Sequence, residues 1–253
     1  MLKKLIYLLI IALIFIVVSG ERNLNNIQLG EENTFLTQKA ESQTLSGSFS
    51  EKLKSGKPVK IVFLGDYVTS ADSLPDGSLN HIALLEDWFD EDYPDQVTTI
   101  NAGMNANTTA HMKERIEKDV IRHKPDLVVI SAGLNDALGA WKIPVKEYTT
   151  NYQAIVDTIV ASADSEVLIR TPNPTTSPEE NMIMGPYMNA SRKLAEQDEV
   201  YLFDFYQVMA ADVHSRNISQ LDLMQNKLLP NIKGQAYLAE QFKTYLTSEL
   251  IKP

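Results

Sequence analysis

The chain has no cysteine in its 253 residues, so any chemistry falls to hydroxyls, imidazoles and carboxylates. Thiolate nucleophiles, disulfides, zinc–thiolate sites and a lipidated cysteine are excluded. Acyl transfer at neutral pH needs a nucleophile, a base to take its proton and a group to orient that base. The hydroxyls worth weighing are Thr69, Ser70 and Ser73, which follow Gly65-Asp66-Tyr67. Each also suits a turn or a helix cap. The four histidines are His81, His111, His123 and His214. His111 and His123 fall in a helical pattern and read as surface or packing residues. Asp212-Val213-His214 sets an acid beside a base, so Thr69 or Ser70 with His214 is one conceivable esterase site. Trp141 offers either an aromatic platform for a sugar ring or a core side chain. No carboxylate or histidine cluster has metal-ligand spacing, and no cofactor is expected.

The elements that must position these residues alternate. Short apolar runs at residues 59–64, 97–101, 126–131, 167–170 and 200–203 predict strands. Amphipathic stretches at 79–89, 108–123, 145–162, 179–197 and 234–250 predict helices. Strands that are apolar throughout and separated by helices make a parallel sheet covered on both faces. Ligands of such sheets bind at the carboxyl ends of the strands. The segment 171–184, with Pro172, Pro174 and Pro178, is expected to loop over that cleft.

Three strings mark those ends, Gly65-Asp66-Tyr67, Asn101-Ala102-Gly103 and Gly133-Leu134-Asn135-Asp136, and a fourth, Leu229-Pro230-Asn231 leading to Gly234, opens the last helix. In this order and context they resemble the blocks of the SGNH (GDSL-type) hydrolase family, from about residue 59 to the C-terminus. The resemblance implies a three-layer flavodoxin-like α/β fold with a five-stranded parallel sheet, and ester hydrolysis. It also implies a serine nucleophile where this chain has Tyr67, and a base where it has Leu229. The orienting aspartate position is Asn226. Gly103 and Asn135 match the family's oxyanion donors, and Asp66, Thr69, Asp136 and Trp141 are cleft candidates. A glycine at a strand end also serves a tight turn, and Asn135-Asp136 also suits a helix cap.

These departures remove the chemistry the resemblance implies. A phenol with a pKa of about 10 and no neighbouring imidazole is no surrogate for an activated serine. Leucine accepts no proton, and asparagine cannot stabilise an imidazolium. Residual catalysis from an oxyanion hole and binding alone is about 10³–10⁴ over water in serine proteases. The sequence therefore predicts an esterase-like protein that binds a glycan, an acylated ligand or a protein partner. An active ester hydrolase with a rearranged site is the alternative.

The formal net charge of −10 makes nucleic acid and anionic lipid surfaces poor partners. At 44% hydrophobic and 22% charged, the chain suits a single globular domain. Lys3 and Lys4 precede an unbroken apolar run over residues 5–18, then Ser19 and Gly20. That pattern fits either a signal peptide or an N-terminal membrane anchor over residues 1–20, with the remainder outside the membrane. Residues 21–57 are polar and read as a tether in which 49–53 can form a short helix. Residues 58–253 form the expected SGNH-like domain. The expected location is a bacterial cell surface, and the expected partners are a cell-wall or surface polysaccharide or an envelope protein.

Overall fold

A computed structural model describes residues 48–251 except 71, 73, 76, 77, 164, 199, 216 and 217. The predicted N-terminal segment, most of the tether and Ser73 lie outside the described residues. The chain enters with helix α1 (Ser48–Lys54), whose Phe49 and Leu53 are buried in the core. The folded part thus begins before residue 58, because these two side chains find apolar partners there. No helix among the described residues is long and apolar enough to cross a membrane.

Five strands follow: β1 (Val59–Gly65), β2 (Val97–Gly103), β3 (Leu127–Ser131), β4 (Glu166–Arg170) and β5 (Val200–Phe203). All neighbouring pairs are parallel, in the order β2-β1-β3-β4-β5. This is the flavodoxin-like order, whose topological switch point lies between β1 and β3. Every residue of β3 is buried, as expected of a strand covered on both faces. Register levels the strand ends, since Gly65 pairs with Gly103 on one side and Ser131 on the other.

Between β1 and β2 run α2 (Tyr67–Ser70) and α3 (His81–Asp92). The β2–β3 connection holds α4 (Thr109–Glu114) and α5 (Ile116–Asp119). Then come α6 (Leu134–Leu138), α7 (Val145–Ala163), α8 (Pro178–Leu194), α9 (Phe205–Ser215), α10 (Gln220–Leu223) and α11 (Ile232–Tyr245). On one face, Phe63 of β1 meets His81 of α3 and Phe242 of α11 edge-on. Towards α7, the hydroxyls of Tyr148 and Tyr152 donate to the carbonyls of Ala132 and Ile130.

The pattern at 108–123 is not one helix. Arg115 leaves helical geometry at φ −106°, ψ 4°, and its guanidinium turns to the strand ends. Nη1 donates to the Ala102 carbonyl at 2.8 Å, Nη2 to the Gly65 carbonyl at 3.1 Å, and Nε to Asn107 at 2.7 Å. Nor is 171–184 loop throughout. Thr171, Asn173 and Thr175 are buried, and Pro178 begins α8 with Ser177 as its N-cap. Proline suits this first turn, where its missing N–H has no helical partner to lose. Helices α9 and α10 have no counterpart among the predicted elements.

Candidate functional site

The levelled ends of β1, β2 and β3 bring three of the sequence strings side by side. Asp66 leaves β1 buried, and its Oδ1 accepts the Val68 backbone N–H at 3.0 Å. Its Oδ2 accepts Asn135 Nδ2 at 3.2 Å, so the first and third strings are joined across the switch point. Burial pushes Asp66 up to about 6, against the lowering pull of the Val68 N–H and the Arg170 guanidinium. Arg170, at the end of β4, is itself buried, and its Nη1 and Nη2 find no hydrogen-bond partner among the described residues. Desolvation brings it down to about 10, with Asp66 opposing.

Asp136 is fully buried and accepts the Thr109 N–H at 3.0 Å and the Thr109 hydroxyl at 2.6 Å. It anchors the start of α4 to α6, and burial holds its carboxyl above the usual range. Gly103 donates its N–H to Asn101 Oδ1 at 2.9 Å, while Asn101 Nδ2 reaches the Thr69 carbonyl at 3.0 Å. A Cβ on Gly103 would lie 2.2 Å from the Ser70 backbone nitrogen. The glycine therefore lets β2 approach α2, and its one N–H is engaged within the protein. Asn135 keeps a second amide hydrogen beyond the one given to Asp66.

Tyr67 opens α2 and is half-buried at the position the resemblance gives to a nucleophile. Thr69 is 2% exposed, and its Oγ1 lies 2.0 Å from where a Gly65 Cβ would stand. That placement uses the absent side chain of Gly65 and shuts the threonine hydroxyl away from solvent. Ser70 Oγ donates to the Tyr67 carbonyl at 3.4 Å.

At the fourth string, Asn226 Oδ1 accepts the backbone N–H groups of Leu228 and Leu229 at 2.8 and 3.0 Å. The side chain shapes the turn that presents Leu229. Asn231 caps α11 by accepting the Gly234 N–H at 3.0 Å. A Cβ on Gly234 would lie 2.1 Å from the Leu223 carbonyl, which accounts for the glycine of this string.

Among the described residues, none of the four histidines hydrogen-bonds to Tyr67, Thr69, Ser70 or Leu229. His81 is buried, with Nδ1 at 2.6 Å from Gln235 Oε1. Desolvation first, then the charge of Arg170, brings it down to about 3 against the Gln235 hydrogen bond. Gln235 Nε2 meanwhile donates to the Val68 carbonyl at 3.2 Å, tying α3, α11 and α2 together. His111 closes a capping box with Thr108, and His123 precedes β3, at the opposite end of the strands. His214 is exposed in the last turn of α9, a helix that starts at the strand ends and leads away from them. Its neighbour Asp212 accepts the Tyr237 hydroxyl at 2.8 Å. Thr69, Ser70 and His214 are therefore not assembled into a site, because α9 carries the histidine off and Thr69 packs inward.

Sequence reasoning passed over Arg115, Arg170 and the His81–Gln235 pair. An arginine closing the apolar strand Glu166–Arg170 was a usable signal. The other two rest on contacts distant in sequence.

The family of GDSL-like lipases and acylhydrolases matches residues 63–236. This chain belongs to the GDSL-like lipase/acylhydrolase family. Among curated GDSL-type relatives, an acetylxylan esterase of Geobacillus stearothermophilus is 24% identical over 223 residues, 79% of this chain and 99% of that protein. An arylesterase of Vibrio mimicus is 27% identical over 198 residues, 76% and 88% of the two chains. The crystal structure of Axe2, an acetylxylan esterase from Geobacillus stearothermophilus, superposes with a TM-score of 0.64 at 21% identity, covering 78% of this chain and 98% of the other. The acetyl xylan esterase AlAXEase gives 0.65 at 24%, covering 75% and 100%. The sheet order and its flanking helices are thus those of GDSL-family esterase structures.

Proposed function

We propose that this GDSL-family domain binds an acylated glycan at the strand ends without hydrolysing it. The observation that carries the reading is that leucine stands at the family's base position and that no histidine among the described residues hydrogen-bonds to Tyr67, Thr69 or Ser70. His81 is held by Gln235, His111 is held by Thr108, and His123 and His214 lie away from the strand ends. Without a base no hydroxyl here is activated for acyl transfer. The acyl-bearing ligand class is suggested by relatives that are acetylxylan esterases.

The apolar run at residues 5–18 behind two lysines supports a location outside a membrane, with the domain secreted or held by its N-terminus. A bacterial surface polysaccharide is then the natural ligand, and an envelope protein is the competing partner. The test is a purified-protein assay on p-nitrophenyl acetate and acetylated xylo-oligosaccharides, with binding of the same oligosaccharides measured by calorimetry. Binding with no acetate release is expected. Acetate release that tracks the purified chain through successive columns would sink the reading.

A further inference from the structure

Thr108, His111, Trp141 and Lys142 border a shallow groove of about 490 Å³ between the β2–α4 and β3–α7 connections, within the size range of ligand sites, about 300–1,000 Å³. Trp141 is 68% exposed, whereas Trp88 is 5% exposed and packs against Phe89 and Tyr93. The loop that carries Trp141 is pinned at both ends. Before it, Gly139 donates to the Asn135 carbonyl at 2.9 Å. After it, Ile143 donates to the Asp136 carbonyl at 2.9 Å, and the Ile143 carbonyl accepts the Tyr187 hydroxyl at 2.7 Å. The loop backbone that carries the indole is already ordered, which lowers the entropic cost of binding.

The capping box fixes the other wall. The Thr108 backbone N–H donates to His111 Nδ1 at 3.2 Å, and the Thr108 hydroxyl lies 2.9 Å from the same nitrogen. A nitrogen that accepts a main-chain N–H carries its lone pair there, so the ring proton sits on Nε2 as a donor. The charged and aromatic side chains of the groove offer an apolar ring face together with N–H donors, on His111, Trp141 and Lys142. Its complement has an apolar face edged with acceptor oxygens, and the net charge of −10 disfavours phosphate-rich candidates.

We propose that this groove is a saccharide subsite, with a pyranose C–H face on Trp141 and ring oxygens accepting from His111 and Lys142. The choice of glycan as ligand class rests on the function proposed above, but the site is separate from the cleft beside Tyr67.

Only two tryptophans are present, so a fluorescence change seen in the full chain and lost in Trp141→Ala, which keeps Trp88, belongs to Trp141. The experiment titrates xylotetraose, acetylated xylotetraose and chitotetraose into the full chain and into Trp141→Ala, His111→Gln and Met182→Ala variants. Calorimetry supplies affinities where the fluorophore is removed. Glutamine at the third helical position preserves the capping box, so His111→Gln keeps the fold while displacing the donor. The expected result is a saturable change with at least one probe and about tenfold weaker binding in Trp141→Ala, the loss typical of an anchor residue. His111→Gln should weaken binding severalfold at unchanged Tm, and Met182→Ala, an exposed side chain outside the groove lining, should leave every probe unaffected. No binding of any probe overturns the subsite, as does wild-type affinity in Trp141→Ala. That last result leaves the cleft reading intact. Acetate release from the acetylated probe overturns silent binding while leaving the subsite standing.

Discussion

Asn135 Nδ2 donates to Asp66 Oδ2 at 3.2 Å across the boundary between β1 and β3, which is where a ligand of this sheet order would sit. The amide that resembles an oxyanion donor is thus part of the scaffold. Removing it leaves a buried carboxylate oxygen unpaired, at a cost of about 1–3 kcal/mol. Asn135→Ala should therefore lower the Tm by several degrees, at about 2–4 °C per kcal/mol for a domain of this size. An Asn135→Ala protein as stable as the wild type would show that the amide serves only a ligand.

Two buried groups in this region pull stability in opposite directions with pH. Asp66 rises from 3.8 to about 6 on folding, so its contribution is present at low pH and lost as pH rises through that window. His81 falls from 6.5 to about 3, so its contribution is present above 6.5 and lost as pH falls towards 3. Asp136, raised by burial, acts in the same sense as Asp66, and Arg170 stays charged throughout. Measured against wild type by denaturant unfolding between pH 4 and 6, Asp66→Asn should gain stability with rising pH, by up to about 1.4 kcal/mol per pH unit. His81→Asn should lose stability with rising pH at a similar rate. Parallel curves for the three proteins would refute both assignments.

Glycines make a sharper contrast. A Cβ at Gly103 collides with the backbone of Ser70 at 2.2 Å, while one at Gly185 in α8 meets nothing within 4 Å. Gly103→Ala must push β2 and α2 apart, a strain of about 1–3 kcal/mol or more. Gly185→Ala should stabilise the helix by up to about 0.5 kcal/mol, because the propensity gain of about 0.5–1 kcal/mol is reduced where the new Cβ crowds the ring of Pro186. Thermal unfolding of the pair checks both signs, and equal shifts would contradict the packing argument.

Arg115 shows why part of this architecture was hidden in the sequence. Hydrophobic patterning located all five strands, most plainly β1, β3 and β4, which are almost wholly buried, and least plainly β2, where only Ala102 is, and the strings at the ends of β1, β2 and β3 fell where the sheet puts them. Periodicity also ran one helix from 108 to 123, since nothing local says that Arg115 will leave the helix for the carbonyls of Gly65 and Ala102. The His81–Gln235 contact spans 154 residues and has no local signature at all. The same holds for the donors of Gly103 and Asn135. Their match to a pattern was legible, but their internal partners appear only once Asn101 and Asp66 are placed beside them.

Arg115→Met keeps much of the stem packing but leaves the Gly65 and Ala102 carbonyls without their guanidinium. Hydrogen bonds to charged groups contribute about 1.5–3 kcal/mol each, so a loss of about 3 kcal/mol or more is expected in chemical denaturation. A change below about 0.5 kcal/mol, the range of neutral surface substitutions, would mean that the ends of β1 and β2 are held by other contacts.

Restoration addresses the chemistry directly. Asn226 already accepts the Leu228 and Leu229 N–H groups, a geometry a carboxylate can keep, so Asn226→Asp should be tolerated. Leu229 sits on that same turn, and Tyr67 opens α2 at the end of β1. In the combined Tyr67→Ser, Asn226→Asp, Leu229→His protein, a base and an orienting acid would enter from one turn towards a small hydroxyl. The expected outcome is acetate release from p-nitrophenyl acetate at least about a hundredfold above the parent, the low end of what general base catalysis contributes. The rate should rise with pH through the imidazole range, at about 6.5, and vanish when Leu229→His is left out. A folded triple variant, judged by unchanged circular dichroism and Tm, that shows no gain would mean that the turn does not aim position 229 at position 67.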